Sequence, residues 1–436
     1  MADTLPVQSG KRSMNTLLLG VLLSHLGTYM IAPLLPIFLK LNKGLSVTEI
    51  GLVLAAAPFS FQGGSLLGGY LADRVGRRTV IALGAWLNAA SLVGYVWFDS
   101  LWLLLGIALL SGLGVGLNAP STKAAIASLI SGGNTRTTAF SFRGIAANIG
   151  TAAAGLLTYF VLGGASALSF FTAAGLFVVL GLISWMFLPK SCGEQPCKAI
   201  PLSSYADIWN NKGFVVFSIV IVFVWALYTQ LSLSVPLRAS EILPDPSIVS
   251  LIWTVNSIIV IFLQTPISRW ILNRIPSLFS LGFGMLFIGA GLGSLYWSTN
   301  FYSLLASGVI FIIGEMLIVP TIDSTVSVMA NARMIGVFFG LTNFVSGLGE
   351  GLGKFAGAQL LSFGATSLVP WIVYGLAAIL ISAVLFLLRF WGPLRLPLGE
   401  ERTFTAAEQN KDGDSAEEKR YLSADDRLFG RKNPAK

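Results

Sequence analysis

Hydrophobic residues in this chain gather into long runs separated by short polar interruptions, and the runs recur from residue 15 to residue 391. Twelve are read here, at 15–38, 46–68, 79–98, 101–122, 138–162, 167–188, 213–236, 247–267, 277–297, 301–321, 336–361 and 369–391. Most reach the roughly 20 apolar residues that a helix needs to cross a bilayer. A helix satisfies its own backbone hydrogen bonds where no water can. The pattern therefore predicts an all-α membrane protein with twelve transmembrane helices. The longest polar interruption, 189–212, splits the runs six and six. The expected organisation is an N-terminal segment 1–14, a six-helix bundle 15–188, a linker 189–212, a second six-helix bundle 213–391 and a tail 392–436.

Composition agrees with that pattern. Of 436 residues, 54% are hydrophobic and only 11% charged, with a mean hydropathy of +0.76, against about 25% charged in an ordinary soluble chain. Residues 399–436 hold 17 of the 48 charged side chains, nine acidic and eight basic, so this tail is expected to be solvated and disordered. One His and two Cys exclude a His-rich metal cluster, and neither a metal nor a cofactor is expected. Cys192 and Cys197 fall in the linker, where ordinary reduced thiols are expected in a cytosolic setting. No cleavable signal peptide is read at the N-terminus.

The net charge of +8 does not point to nucleic acid, because the basic residues sit between the apolar runs. With the N-terminus inside, the inner segments carry Lys11, Arg12, Arg74, Arg77, Arg78, Arg136, Lys190, Lys198, Lys212, Arg269, Arg274, Arg333, Arg389 and Arg395. The outer segments carry only Lys40, Lys43 and Arg238. That asymmetry places both termini in the cytosol.

The halves also resemble each other. Pro120-Ser121-Thr122-Lys123 precedes Asn134-Thr135-Arg136 in the first, and Pro320-Thr321-Ile322-Asp323 precedes Asn331-Ala332-Arg333 in the second. The basic turn from Asp73 to Arg78 after run two has a weaker counterpart, Arg269 to Arg274, after run eight. An internal repeat of six helices outlines a transporter with its cavity between two bundles. Gly64/Gly68, Gly112/Gly116, Gly289/Gly293 and Gly349/Gly353/Gly357 are spaced by four, which lets helix backbones approach closely.

The most specific local signal is Gly69-Tyr70-Leu71-Ala72-Asp73-Arg74-Val75-Gly76-Arg77-Arg78. Gly76 allows a tight turn, and the arginines suit an inner membrane interface. The run resembles the loop 2–3 signature of the major facilitator superfamily. The twelve runs, the repeat and the Asn-x-Arg loops extend the resemblance over residues 14–391. In that family the loop clamps the two bundles on the cytosolic side, which implies a gating role for Gly69, Asp73, Arg74, Gly76, Arg77 and Arg78.

Within the superfamily the chain resembles the twelve-span drug:proton antiporters. The stretch Leu26-Gly27-Thr28-Tyr29-Met30-Ile31-Ala32-Pro33-Leu34-Leu35-Pro36 is similar to their first helix. Gly314-Glu315-Met316, then Pro320 and Ile335-Gly336, is similar to span ten and the following loop of multidrug exporters with a coupling carboxylate there. Arg143, Asn148 and Gly150 fit their span five, but Ala154-Gly155 stands where the antiporter signature has Gly-Pro.

Ionisable residues inside apolar runs are functional candidates, because burying a charge costs about 2.5–3.5 kcal/mol even on the insertion scale. Glu315 falls deep in run ten, and is either a coupling carboxyl that takes up a proton from outside and releases it inside or a structural, hydrogen-bonded Glu. Glu350 and Lys354 stand four residues apart, hence on one helical face, either as a mutually neutralising pair or as a switch. His25, the only histidine, is either a hydrogen-bonded core residue or a second proton site or substrate ligand. Lys123, Asp323 and Arg143 sit near the inner ends of their runs, where they snorkel to the interface or join Asp73 in a gate.

Tyr29, Gln62, Asn118, Asn148, Trp225, Tyr228, Gln230, Trp253, Asn256 and Asn343, with Arg143 and Lys354, are the candidate substrate-binding residues. Aromatics with carboxylates suit lipophilic cations, while Arg143 and Lys354 also suit zwitterions or anions. The sequence thus predicts a secondary transporter of the plasma membrane. The expected mode is proton-coupled export of amphipathic small molecules by alternating access, driven by the proton gradient, as a monomer. The alternatives are a proton symporter or a dedicated exporter of a metabolite, metal chelator or lipid. An enzyme is disfavoured, since no His-Asp or paired-carboxylate motif sits in a polar loop.

Overall fold

A computed structural model of the chain describes residues 5–128, 133–189, 211–272, 274–329 and 335–394. Within these, the side chains of 5–12, 69, 73–74, 127–128, 133–141, 327 and 335–337 are not described. Fourteen α-helices occur among the described residues: α1 (Leu5–Ile31), α2 (Leu35–Leu41), α3 (Val47–Val75), α4 (Arg77–Trp97), α5 (Leu101–Ser128), α6 (Gly133–Phe160), α7 (Ala167–Phe187), α8 (Lys212–Tyr228), α9 (Gln230–Ile242), α10 (Ser250–Ile267), α11 (Ser277–Ser294), α12 (Phe301–Met329), α13 (Ile335–Leu361) and α14 (Val369–Leu388).

Local sequence explains several boundaries. Ser46 and Glu49 form a capping box at the start of α3: Glu49 N–H donates to Ser46 Oγ at 3.3 Å, and Ser46 N–H donates to Glu49 Oε2 at 2.8 Å. Asn211 accepts from Phe214 N–H at 3.0 Å and so opens α8. Between α3 and α4 the chain turns on Gly76 alone, at φ +99°, a conformation that side chains with a Cβ rarely adopt.

Two of the expected spans are interrupted rather than continuous. Run one is broken at Ala32 to Leu34, between α1 and α2, where Pro33 and Pro36 remove backbone donors. Run seven is broken at Thr229, between α8 and α9, with no proline at the break. There the Gln230 side chain donates to Ala226 O at 2.8 Å, taking the carbonyl that the Gln230 N–H would use in an unbroken helix.

Ten helical stretches among the described residues are long and apolar enough to cross a membrane: Ser13–Leu41, Val47–Ala72, Arg77–Trp97, Leu101–Ile126, Ala167–Phe187, Lys212–Ile242, Pro246–Leu272, Ser277–Trp297, Phe301–Val326 and Val369–Leu388. Helices α6 and α13, read as runs five and eleven, are 28 and 27 residues long but are not among the ten. Their described residues include Arg143, Asn148 and Thr151 in one and Asn343, Glu350 and Lys354 in the other, which lowers their apolar character.

Helix α3 packs on α5, α4 on α5 and α7, and α1 on α6 and α7; in the later part of the chain α11 packs on α12 and α14, and α8 on α13. Glycines make these contacts backbone to backbone. A Cβ on Gly64 would stand 2.7 Å from Leu113 O, and one on Gly116 2.5 Å from Phe61 O. Gly349, Gly353 and Gly357, one face of α13, press on Val222 O, Ala226 O and the Gln230 amide. Gly293 is looser, with its nearest neighbour, Trp371 O, at 4.0 Å.

The first seven helices meet the last seven along α3 with α13, α6 with α10, and α2 with α9. Gly51 packs on Ala358, Phe59 on Gly351, and the Gln62 amide on Gly347. Thr254 Oγ1 donates to Ala152 O at 2.9 Å, and Ser247 Oγ, in the short 3-10 turn before α10, accepts from Ala165 N–H at 3.1 Å. These contacts run from the middle of the helices to the end that carries α2 and α9. At the opposite end Lys123 and Asp323 are exposed, and no ion pair among the described residues joins them.

Candidate functional site

Glu315 sits in the middle of α12, partly buried. Its two carboxylate oxygens are divided between two neighbouring helices. Tyr228, the last residue of α8, donates its hydroxyl to Oε1 at 2.9 Å, and Asn256 of α10 donates its amide to Oε2 at 3.1 Å. Charged acceptors make the stronger hydrogen bonds, so both donors hold the carboxyl in place. The sequence reading thus brings three of its own candidates into direct contact.

Tyr228 in turn is packed between aromatic rings. Trp225 meets Tyr228 edge to face at 4.7 Å between centroids, and Tyr228 meets Phe311 at 5.7 Å. The Trp225 indole nitrogen has no hydrogen-bond partner among the described residues. From α1, Tyr29 lies within electrostatic reach of Glu315 and Glu350, and His25 stacks on Tyr29 at 6.1 Å. His25 Nδ1 lies 2.9 Å from Val21 O one turn back, so one ring nitrogen is engaged within its own helix.

Glu350 and Lys354 do pair. Lys354 Nζ lies 2.7 Å from Glu350 Oε1, with side-chain exposures of 14% and 36%. The lysine is therefore neutralised locally, whereas Glu315 is met by neutral donors.

Other candidates are employed differently. Gln230 is fully engaged: its nitrogen donates to Ala226 O and Gly353 O, each at 2.8 Å, and its oxygen accepts from Tyr374 at 3.1 Å and Ser234 at 3.3 Å. It clamps α9 to α13 and α14. Asn118 donates to Ile81 O at 3.1 Å, inside the first set of helices. Asn148 donates to Gly144 O of its own helix at 3.0 Å. Trp253 is buried in the core and Gln62 against Gly347, while Asn343 is exposed.

Arg143 and Lys123 lie within electrostatic reach of each other and of His25, and Asp323 within reach of Lys123. In the loop signature, Arg78 donates to Trp185 O at 3.3 Å and stacks over the Trp185 ring at 4.8 Å, tying α4 to α7. The Arg77 Nε has no partner among the described residues. The side chains of Asp73 and Arg74 are not described, nor are those of Asn134-Thr135-Arg136, whose backbone is already helical in α6, while Asn331-Ala332-Arg333, residues 190–210 with Cys192 and Cys197, and residues 395–436 lie outside the described residues. Among the described residues no group of three His, Cys, Asp or Glu could hold a metal.

Sequence reasoning missed an acidic partner at the far end. Glu241 pairs with Lys40, and the only hint is one acid close to the few basic residues of the outer segments. It also missed Tyr374, which a strongly apolar run conceals.

Broken, glycine-welded apolar helices around a partly buried carboxyl define a membrane transporter, and the chain belongs to the major facilitator superfamily, whose profile matches residues 17–354. It is a transporter rather than an enzyme. It is similar to multidrug resistance protein MdtH of Shigella sonnei strain Ss046, 25% identical over 369 residues that cover 83% of this chain and 90% of that protein. MdtH of Salmonella typhimurium strain LT2 is 26% identical over 366 residues, with the same coverage. The fold is similar to a crystal structure of the nucleoside transporter NupG, with a TM-score of 0.73 at 12% identity over 86% of this chain and 99% of that one. It is also similar to a POT family transporter in complex with 5-aminolevulinic acid, at 0.71 and 16% over 86% and 96%.

Proposed function

We propose that this transporter is a proton-coupled antiporter that exports amphipathic small molecules across the plasma membrane by alternating access. The observation that carries the reading is Glu315, a partly buried carboxyl gripped by Asn256 and by Tyr228, which itself packs against Trp225 and Phe311. A proton and a substrate cation compete for such a group, because each neutralises the same charge. Tyr29, Trp225 and Tyr228 offer ring faces to the substrate. Glu350 with Lys354 forms a second charged element beside the site, and Arg143 with Lys123 provides positive charge nearer the opposite end. The similarity to MdtH, named for multidrug resistance, favours export of drug-like molecules.

In this reading twelve helices, including α6 and α13, cross the membrane as two six-helix bundles, 15–188 and 213–391, related by an internal repeat. Both termini are cytosolic, the α2 and α9 end faces outward, and the protein works as a monomer. The conformation is then inward-facing: closed contacts lie on the outer half, while at the other end Lys123 and Asp323 are exposed and form no ion pair with each other among the described residues. The proton gradient supplies the energy without a cofactor.

Everted vesicles with an imposed pH gradient test this. An antiporter accumulates a lipophilic fluorescent cation as protons leave, and Glu315→Gln abolishes the accumulation. Gradient-driven accumulation at the wild-type rate in the Gln variant refutes the assignment.

A further inference from the structure

The three basic residues that depart from the inner bias, Lys40, Lys43 and Arg238, are all engaged at the α2 and α9 end. We propose that they divide the work of a gate: Lys43 and Arg238 each fasten a short helix to its own half of the molecule, and Lys40 closes a latch between the halves through Glu241. This rests on the alternating-access reading above.

Each part has its own geometry. Lys43 follows α2 directly and donates to Val96 O at 2.8 Å and to Asp99 Oδ1 at 2.6 Å, both just beyond α4 or at its end. Its ammonium also lies 5.6 Å from the Phe38 ring of α2. The end of α2 therefore moves with the first half. Arg238 is buried in α9 and donates to three backbone carbonyls: Ala365 O at 2.8 Å, Tyr296 O at 2.9 Å and Ser298 O at 3.0 Å. These carbonyls belong to the loops that follow α13 and α11, so α9 moves with the second half.

Three residues further along α9, Glu241 forms an ion pair with Lys40 of α2, and Lys40 also donates to Ser240 Oγ at 3.2 Å. It is the one ion pair between the two sets of helices among the described residues. Because both helices are fastened behind it, separation of the halves at this end must break this pair rather than let either helix follow its partner. The placement also links the latch to the proton site. Both helices lie just past the interruptions, and the residues before the interruptions include Tyr228, which donates to Glu315, and Tyr29, which lies within its electrostatic reach.

The test measures opening directly. Ser250 is fully buried where α10 meets α6, so a cysteine there reacts only when this end opens. The full chain carries Ser250→Cys with Cys192→Ser and Cys197→Ser, and a membrane-impermeant maleimide is added to intact cells and, separately, to everted vesicles. Lys40→Met and Glu241→Gln should each label about fivefold faster than the parent, the change expected from an ion pair worth about 1 kcal/mol when its side chains are 23% and 40% exposed. The swap Lys40→Glu with Glu241→Lys should restore slow labelling.

Parent-rate labelling in both single variants overturns the latch, as does a swap that labels as fast as they do. Faster labelling in everted vesicles alone keeps the latch and reverses the topology. In a second measurement, a Lys40→Cys/Glu241→Cys disulfide should stop transport until it is reduced, and undiminished transport by the crosslinked protein overturns the proposal. Labelling needs neither substrate nor proton gradient, so failure of the Glu315 assignment leaves this result standing.

Discussion

Tyr228 and Glu315, 87 positions apart in the chain, meet through a phenol that donates to Oε1 at 2.9 Å. The tyrosine is also the last residue before the interruption in its span. Any change in the charge of Glu315 is thus felt at a point where the helix is already broken.

Removing that donor tests whether the contact matters to coupling. A hydrogen bond to a charged group is worth about 1.5–3 kcal/mol, so Tyr228→Phe should lower gradient-driven transport by about tenfold or more. Asn256→Leu should have a similar effect through Oε2. Initial rates in everted vesicles, normalised to protein amount, report both.

Glu350 and Lys354 call for a double-variant cycle. If the pair switches between states, Glu350→Gln, Lys354→Met and the combined variant should all transport poorly while retaining wild-type expression and melting temperature. Full transport by the double variant would reduce the pair to local charge neutralisation.

Glycine substitutions should separate folding from gating. Gly64→Ala drives a Cβ into Leu113 O, 2.7 Å away within one half, and should destabilise the fold by about 1–3 kcal/mol. Gly51→Val clashes with Ala358 across the halves, so it should leave the melting temperature nearly unchanged yet speed labelling of a cysteine at position 250.

Arg238→Met leaves three carbonyls without their donor. The loss should exceed about 3 kcal/mol, seen as a melting temperature several degrees lower in detergent. Arg238→Lys, which cannot span all three acceptors, should recover only part of it.

Much of this was readable in the chain. Glu315 announced itself as a lone acid in an apolar run, and Tyr228 and Asn256 as polar groups at matching depth. The paired spacing of Glu350 and Lys354 translated directly into contact. Gly76 was marked by its motif and is the one residue turning between α3 and α4.

What stayed hidden depends on partners distant in sequence. Nothing local distinguishes Asn256, which reaches a carboxylate, from Asn118, which reaches a backbone carbonyl, because each choice is made by the helix packed opposite. The break at Thr229 has no proline and arises from the side chain of Gln230 capturing Ala226 O. Arg238 reads as an ordinary outer-loop cation, and only tertiary structure gathers the carbonyls around it. Helices α6 and α13 were read as spans from their overall run length, while their interior polar residues weaken that signature.

The glycine seams between α3 and α5 leave little for substrate specificity to act on, since backbone touches backbone there. The aromatic and polar wall around Glu315 is built instead from side chains that can be exchanged one at a time. A lineage of such proteins could therefore diversify what it carries while its moving parts stay the same, with adaptation falling on a few wall positions and the seams holding constant.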